Sequence, residues 1–152
     1  MCALALAQPA SARLWAIDEF PPTPDGLLVL QWPARGTVTD GFGPRWGRIH
    51  LGLDIGILRS LDLRAAAAGT VRSTGWLTGY DGYGQVVLVE VGGGYETMYA
   101  HLSRIDVRPG DTLSSGDRIG LAGCTGSCTG THLHFELHQY GDPIDPMPFL
   151  AR

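Results

Sequence analysis

The stretch Thr131-His-Leu-His-Phe-Glu-Leu-His138 alternates polar and apolar residues with the period of two that is typical of a β-strand. Such a strand has two chemically different faces, with Leu133, Phe135 and Leu137 on one and His132, His134, Glu136 and His138 on the other. We expect the apolar face to pack into a core. His132 and His134 would lie about 7 Å apart at the backbone, so both can reach one metal ion or reacting water. For His-x-His alone, the alternative is a half-buried strand with a polar outer face.

The composition favours an all-β protein with many turns. Glycine contributes 22 of the 152 residues and charged residues only 17%, whereas average proteins contain about 7% glycine and about 25% charged residues. Short alternating segments are separated by glycine, and no stretch has a convincing amphipathic helical pattern. We therefore expect a small antiparallel domain, built as a two-sheet sandwich or a barrel-like sandwich, whose loops carry the function.

The charge pattern argues against a nucleic-acid partner, and the short apolar runs argue against a membrane span. The net charge is -4, the 11 basic residues are all arginine, and they are scattered singly. A protein that binds a phosphate backbone carries a concentrated basic patch, so we expect no nucleic-acid partner. No apolar run approaches the roughly 20 residues of a membrane-spanning helix, so we expect no membrane span. We expect one domain of ordinary size that acts as a monomer.

Residues 1–30 differ in sequence pattern from the rest of the chain, and we interpret them as a leader or linker. The segment from Met1 to Ala12 is apolar and ends in Ala-Ser-Ala, which resembles a signal-peptidase site, but it is short and lacks a basic start. It is either a truncated signal peptide or a plain disordered terminus. A cluster of prolines follows, at Pro21, Pro22 and Pro24, and disfavours helix and central strand. Residues 31–152 are expected to form the folded domain.

Alternating segments and glycine-rich turns predict the order of the strands. Besides the histidine-rich stretch, the expected strands are residues 36–39, 61–67, 69–76, 84–91, 94–102 and 119–122. The expected turns and loops are residues 41–45, 80–84, 92–94, 108–111 and 123–130. From Gly141 onwards, closely spaced prolines predict neither helix nor central strand.

A second pair of residues with metal-binding side chains lies in the stretch His50-Leu-Gly-Leu-Asp54. Its glycine argues against a helix, and in a straight strand residues four apart are about 13 Å apart at the backbone, too far to share one ion. We therefore expect a bend at Gly52 that brings His50 and Asp54 together. With one histidine of the His-x-His pair, they would supply the three protein ligands of a catalytic zinc site. For His-x-x-x-Asp alone, the alternative is an exposed histidine near a surface aspartate.

Several motifs, taken together and in order, resemble one family. They are Gly41-Phe-Gly-Pro-Arg45, His50-Leu-Gly-Leu-Asp54, Tyr99-Ala-His101-Leu102, Thr129-Gly-Thr-His-Leu-His-Phe-Glu136 and Asp145-Pro146. The chain resembles the lysostaphin-type (LytM-like) zinc metallopeptidases over about residues 31–150. The resemblance implies an antiparallel β fold and a zinc-dependent endopeptidase. Its implied substrate is peptidoglycan, in which it would hydrolyse peptide bonds of the cross-links or stem peptides.

The resemblance also implies which residues form the site. One zinc ion per chain would be held by His50, Asp54 and His134, with His101 and His132 as the catalytic pair. His132 is expected to take a proton from the attacking water and pass it to the leaving amine. His101 is expected to hydrogen-bond the water or the developing oxyanion.

Three further polar residues near these motifs receive no catalytic role. Glu136 either supports the site from behind or is a solvated strand residue, and we favour the solvated residue. His138 matches no ligand position of the family, so we expect an ordinary surface histidine. Arg45 lies in the family's turn motif, where its role is expected to be structural.

Cys124 and Cys128 depart from the family pattern, which commonly has polar residues in this glycine-rich loop. We expect a short disulfide that braces the loop and suits an oxidising compartment. The alternative is a structural zinc box formed with the His-x-His pair. Localisation is therefore expected to be extracytoplasmic, either secreted, periplasmic or associated with the cell wall, and a phage-borne lysin fits equally well.

A catalytically inactive relative is the alternative function. Such a domain would bind the cell wall or activate a partner hydrolase, and it would be expected to have lost metal ligands. Every ligand position of the family is filled in this chain, so we predict an active enzyme. Some relatives are kept latent by an upstream asparagine on the metal; this sequence contains no asparagine, which excludes that form of inhibition.

Overall fold

The computed structural model describes residues 28–152. The expected leader therefore lies outside the described residues, apart from its last three positions. Of these, Leu30 is fully buried, pairs in a parallel bridge with Leu150 and donates its backbone N–H to the carbonyl of Phe149. The folded part of the chain thus includes Leu30, one position before the expected boundary.

Within residues 28–152 the chain is almost entirely β-structure. The strands are β1 Thr37–Asp40, β2 Gly43–Arg45, β3 Arg48–His50, β4 Leu53–Gly56, β5 Asp62–Arg64, β6 Gly69–Trp76, β7 Gln85–Gly92, β8 Tyr95–Ala100, β9 Arg104–Ile105, β10 Thr112–Leu113, β11 Arg118–Leu121, β12 Leu133–Gln139 and β13 Asp142–Ile144. A 3₁₀ helix, Met147–Phe149, follows. In this part of the chain no helix has the length and apolar character needed to cross a membrane.

One large antiparallel sheet organises the domain. Its strands follow the order β1-β4-β12-β8-β7-β6-β10, and β13 pairs with the far end of β12. A smaller sheet has the order β5-β11-β9, and β2 pairs with β3 in a separate hairpin. The all-β antiparallel fold predicted from the sequence is confirmed. The histidine-rich strand β12 lies inside the large sheet, between β4 and β8.

The core lies against the apolar face of β12. Leu133, Phe135 and Leu137 are completely buried there, as the alternation predicts. The smaller sheet contributes Leu63 and Ile119 to the same core cluster, so the two sheets enclose it. Removing such side chains from water is the main stabilising term of a domain of this size, at roughly 25 cal/mol per Å² of apolar surface.

The chain departs from the predicted turns and strands in several places, and the predicted strands omit β3, β4, β9 and β10. Residues 41–45, predicted to be a turn, instead lead into β2, and the turn of that hairpin lies at Trp46 and Gly47. Proline is tolerated in an edge ribbon, where its missing N–H need not pair. The strand predicted for residues 61–67 is only three residues long. The proline-rich end forms a short edge strand and a single 3₁₀ turn, which proline permits at its start.

The bend expected at Gly52 is present, between the end of β3 and the start of β4. A Cβ atom at this position would lie 2.3 Å from the carbonyl oxygen of Phe135 and 2.8 Å from Cγ of Glu136. Any side chain would therefore collide with the backbone of β12. Glycine is required because the bend crosses the strand at contact distance.

Replacing Gly52 with alanine is expected to destabilise the domain by about 1–3 kcal/mol, since the added methyl group must push β12 away. The measurement is the free energy of unfolding in urea. Gly41→Ala is the matched control, because a Cβ there meets no heavy atom within 4 Å. Equal stabilities for the two variants would contradict the steric account.

Candidate active site

The three predicted metal ligands meet at the bend. His50 ends β3, Asp54 lies in β4, and His134 is the register partner of Asp54 across the β4–β12 pair. His50 Nε2 lies 3.2 Å from Asp54 Oδ1 and 3.1 Å from His134 Nδ1. His134 Nδ1 lies 2.9 Å from Asp54 Oδ1. The three donor atoms thus form a small triangle whose sides are nearly equal.

This triangle has the size and chemistry of a metal site. Tetrahedral coordination with bonds of about 2.0–2.2 Å separates neighbouring donor atoms by roughly 3.3–3.6 Å, slightly more than these sides. Two imidazole nitrogens and a carboxylate oxygen are ligands that first-row divalent ions accept. Within residues 28–152 these are the three side chains that converge in this way. The donor set therefore fits a divalent metal ion.

Hydrogen bonds to neighbouring residues orient the predicted ligands. His50 Nδ1 donates to the carbonyl oxygen of Gly41 at 2.7 Å, which leaves Nε2 free to face the site. Arg45 bridges two carboxylates, with Nη1 2.7 Å from Asp40 and 3.4 Å from Oδ2 of Asp54. Such supporting contacts fix the orientation of metal ligands. Arg45 thus has the structural role that the sequence suggested.

Glu136 is not the solvated residue that we expected. It is only 1% exposed, and its carboxylate accepts hydrogen bonds from His134 Nε2 at 2.8 Å, from the hydroxyl of Tyr83 at 2.8 Å and from His138 Nε2. His138 is correspondingly half-buried rather than on the surface. The physical reason for the burial of Glu136 is that Tyr83, from the β6–β7 loop, lies against His134 and Glu136.

The network around Glu136 fixes the ring of His134. Because Nε2 of His134 donates to Glu136, its Nδ1 faces Asp54 and His50. The alternation in β12 could have indicated this role, since Glu136 is the next residue on the same face. Tyr83 could not be assigned from the sequence, because its contact depends on how a distant loop folds.

The two predicted catalytic histidines lie beside the metal ligands. The rings of His101 and His132 are 4.7 Å apart between centroids, and His132 Nε2 is 3.6 Å from Asp54 Oδ1. His101 Nδ1 donates to the carbonyl of Thr125 at 2.8 Å, and His132 Nδ1 donates to that of Gly130 at 2.7 Å. Carbonyl oxygens only accept hydrogen bonds, so both rings carry hydrogen on Nδ1 and present Nε2 to the site.

The electrostatics of the cluster follow from burial and pairing. Burial raises the pKa of Asp54, but its hydrogen bond with His134 and the nearby imidazoles prevail and lower that pKa to about 2. Burial also raises the pKa of Glu136, and its bonds to His134 and His138 lower it to about 2. Burial lowers the pKa of His134, whereas the two carboxylates raise it to about 9. Both carboxylates are therefore charged at neutral pH.

His101 and Tyr83 have shifted pKa values for a simpler reason. Burial lowers the pKa of His101 below its ordinary value, despite the opposing hydrogen bond to Thr125. Burial and the neighbouring carboxylate of Glu136 raise the pKa of Tyr83 well above its ordinary value. Near neutral pH, His101 is thus an uncharged imidazole and Tyr83 an uncharged phenol that donates its hydrogen.

Cys124 and Cys128 are joined by a disulfide, with their Cα atoms 5.3 Å apart. Both lie in the loop between β11 and β12, and the sulfur of Cys128 lies 3.7 Å from His132 Nδ1. Sulfur atoms bonded to each other are not available as thiolate ligands. The geometry therefore corresponds to the braced loop rather than to a zinc box.

Comparison with known proteins identifies the family. Residues 48–146 match Peptidase family M23. The chain belongs to this family. The matched segment contains all five histidines and Asp54. The resemblance to lysostaphin-type metallopeptidases, inferred from the motifs, is confirmed, and the assignment implies a metal ion at the site.

Three similar proteins illustrate the range of the family. Lysostaphin of Staphylococcus staphylolyticus is 36% identical over 128 residues, covering 79% of this chain and 26% of that protein. The DD-carboxypeptidase/endopeptidase Mpg of Neisseria meningitidis is 37% identical over 100 residues, covering 66% and 22%. The crystal structure of a zinc-containing peptidase from Vibrio cholerae superimposes with a TM-score of 0.67 at 31% identity, covering 78% and 38%. The chain thus spans well under half the length of these relatives.

Glu136→Ala is expected to weaken metal affinity by about 10–100-fold, because His134 loses the carboxylate that orients it. The measurement is competition for Zn²⁺, used as the probe ion, against a chromophoric chelator. Glu136→Gln keeps an acceptor oxygen and should lose less affinity. Glu90→Ala removes an exposed carboxylate of β7 and should change nothing. Wild-type affinity in Glu136→Ala would rule out the orienting role.

Proposed function

We propose that this protein is a zinc-dependent endopeptidase that hydrolyses peptide bonds in peptidoglycan. The observation that carries the proposal is the convergence of His50, Asp54 and His134, with donor atoms 2.9–3.2 Å apart, beside His101 and His132. Membership of the family and the names of the relatives support the same activity. The inactive wall-binding alternative is not favoured, because every ligand position is filled and oriented.

Zinc is the metal that the donor set favours. Two histidines and one carboxylate are a common protein ligand set of catalytic zinc sites, in which water takes the fourth position. One ion per chain would occupy the triangle of donor atoms. The Vibrio cholerae relative, described as a zinc-containing peptidase, supports this choice.

When bound, zinc supplies Lewis-acid chemistry, polarising a carbonyl and lowering the pKa of a water molecule to about 7. The protein supplies the proton transfers. In its neutral form His132 presents an unprotonated Nε2, which accepts the proton of the attacking water. The imidazolium so formed has a hydrogen on Nε2 and donates it to the leaving amine. His132 thus acts as base and then as acid.

His101 serves the same reaction as a neutral hydrogen-bond acceptor. Burial keeps its pKa low, and its Nδ1 hydrogen is bound by Thr125. Its Nε2 therefore accepts a hydrogen bond from the attacking water and orients it toward the carbonyl carbon. Positioning of this kind is a large part of enzymatic rate enhancement.

The disulfide bears on the compartment in which the protein acts, and the fold bears on the extent of the catalytic domain. A disulfide at Cys124 and Cys128 suits an oxidising environment, which supports an extracytoplasmic location. The catalytic domain comprises residues 31–152 together with Leu30, and we propose that it acts as a monomer. Its substrate is the peptide part of the wall. Digestion of glycine-bridged and directly cross-linked walls, with products identified by mass, distinguishes a cross-bridge from a stem-peptide bond.

His134→Ala is expected to reduce bound zinc from one ion per chain to none, because the remaining two ligands cannot retain it. Lysis of purified walls should be lost with the metal. Elemental analysis and the decrease in turbidity measure the two effects. Wall lysis by fully chelated wild-type protein would refute the metal-dependent mechanism.

His132→Ala and His101→Ala should instead keep the metal and lose rate. Positioned acid–base groups typically contribute 10²–10⁴-fold, so we expect kcat to fall by about that range for His132→Ala. Zinc content and rate are measured on the same preparations, with His134→Ala as the comparison that loses both. An unchanged kcat in His132→Ala would exclude it as the base.

A further inference from the structure

We propose that the disulfide between Cys124 and Cys128 positions the catalytic imidazole of His132, and to a lesser degree that of His101, so that its reduction slows peptide hydrolysis while the metal stays bound. This inference rests on the proposed function for the roles of His101 and His132. Its structural basis is independent, because it concerns the hydrogen bonds that orient the two rings.

Both imidazoles are oriented by one loop, residues 123–131, here called the disulfide loop. The carbonyl of Thr125 holds His101 Nδ1 at 2.8 Å, and the carbonyl of Gly130 holds His132 Nδ1 at 2.7 Å. The disulfide closes the ring from Cys124 to Cys128. Thr125 lies inside this ring, and Gly130 lies two residues beyond it. One covalent link therefore constrains both carbonyls.

The first half of the disulfide loop has strong anchors of its own. The hydroxyl of Thr125 donates to the carbonyl of Leu102 at 2.8 Å and accepts the N–H of Gln85 at 3.0 Å. Ser127 donates its N–H to the carbonyl of Gly82 at 2.8 Å. The backbone at Gly126 also packs tightly, since a Cβ there would lie 2.4 Å from the nitrogen of Gly84. His101 is thus oriented by a well-fixed carbonyl.

The second half depends more on the disulfide. Gly130 is exposed and has open space around its Cα, and glycine is the most permissive residue of the backbone. Cys128 links this half to the anchored half, and its sulfur lies 3.7 Å from His132 Nδ1. Breaking the link frees the segment that carries the Gly130 carbonyl. His132 should therefore lose its orientation more than His101.

A reductant can reach this bond because Cys124 is exposed. A water-soluble phosphine attacks one sulfur and breaks the S–S bond, and water then displaces that sulfur from phosphorus. The protein gains two electrons and two protons as the bond becomes two thiols, and the phosphine becomes a phosphine oxide whose oxygen comes from water. The ligands His50, Asp54 and His134 are carried by the β3–β4 bend and by β12, so reduction leaves their positions unchanged.

The test uses the full chain carrying Cys2→Ser, so that the two loop cysteines are the remaining thiols. It compares the oxidised protein, the protein reduced by a water-soluble phosphine and a Cys124→Ser/Cys128→Ser variant in the same background. The substrate is a soluble cross-linked muropeptide from a wall type that the oxidised protein digests. We expect a 10–100-fold lower kcat for the reduced and variant proteins, KM within twofold and one zinc per chain, with no effect of phosphine on the variant.

A second readout reports on orientation directly. In the oxidised zinc protein, nitrogen-15 NMR should show slowly exchanging Nδ1–H signals for His101 and His132, and reduction should selectively broaden that of His132. A kcat within twofold after reduction would overturn the proposal. Loss of zinc or of the folded state on reduction would also overturn it, since the disulfide would then have only a structural role. Binding of a second zinc ion per chain by the new thiols would overturn it as well. If the oxidised protein cleaves no wall, the proposed function fails, and the NMR comparison alone decides the positioning role.

Discussion

The site depends on the antiparallel contact between β4 and β12. This pairing places Asp54 opposite His134, and the bend at Gly52 then returns His50 to the same point. The contact is so close that no side chain fits at position 52. The backbone of the sheet therefore fixes the distances between the three proposed ligands, and the side chains need only adopt the rotamers that hydrogen bonds select.

The polar face of β12 is buried almost as fully as its apolar face, and this is stable because the buried charges are paired. Asp54 is balanced by Arg45 and by imidazoles, and Glu136 accepts hydrogen bonds from Tyr83, His134 and His138. Among residues 28–152 no buried side-chain nitrogen or oxygen lacks a partner. Burying carboxylates without partners costs several kcal/mol each, whereas a fully satisfied network holds its members in one arrangement.

The sequence allowed the prediction of features that depend on local geometry. Alternation along β12 predicted which side chains face the core, and the spacing of His50 and Asp54, with glycine between them, predicted the bend. Features that depend on distant segments were not predicted. The burial of Glu136 depends on a loop more than 50 positions away in the chain, which places the Tyr83 hydroxyl on its carboxylate. Strand β2, Gly43–Arg45, was predicted to be part of a turn because its glycine and proline content is typical of turns.

The proposed metal ligands and the proposed catalytic base are supported by different kinds of structure. The proposed ligands lie on β-strands or at the end of one, where backbone pairing and buried hydrogen bonds support them. The proposed base is supported by a carbonyl of a glycine-rich loop, and loops open at lower free energy than the sheets that carry them. Changes in that loop can therefore alter proton transfer while the metal triangle remains intact. This separation explains how a disulfide outside the metal site can matter for rate: it restricts the loop that carries the Gly130 carbonyl, which accepts the Nδ1 hydrogen of His132.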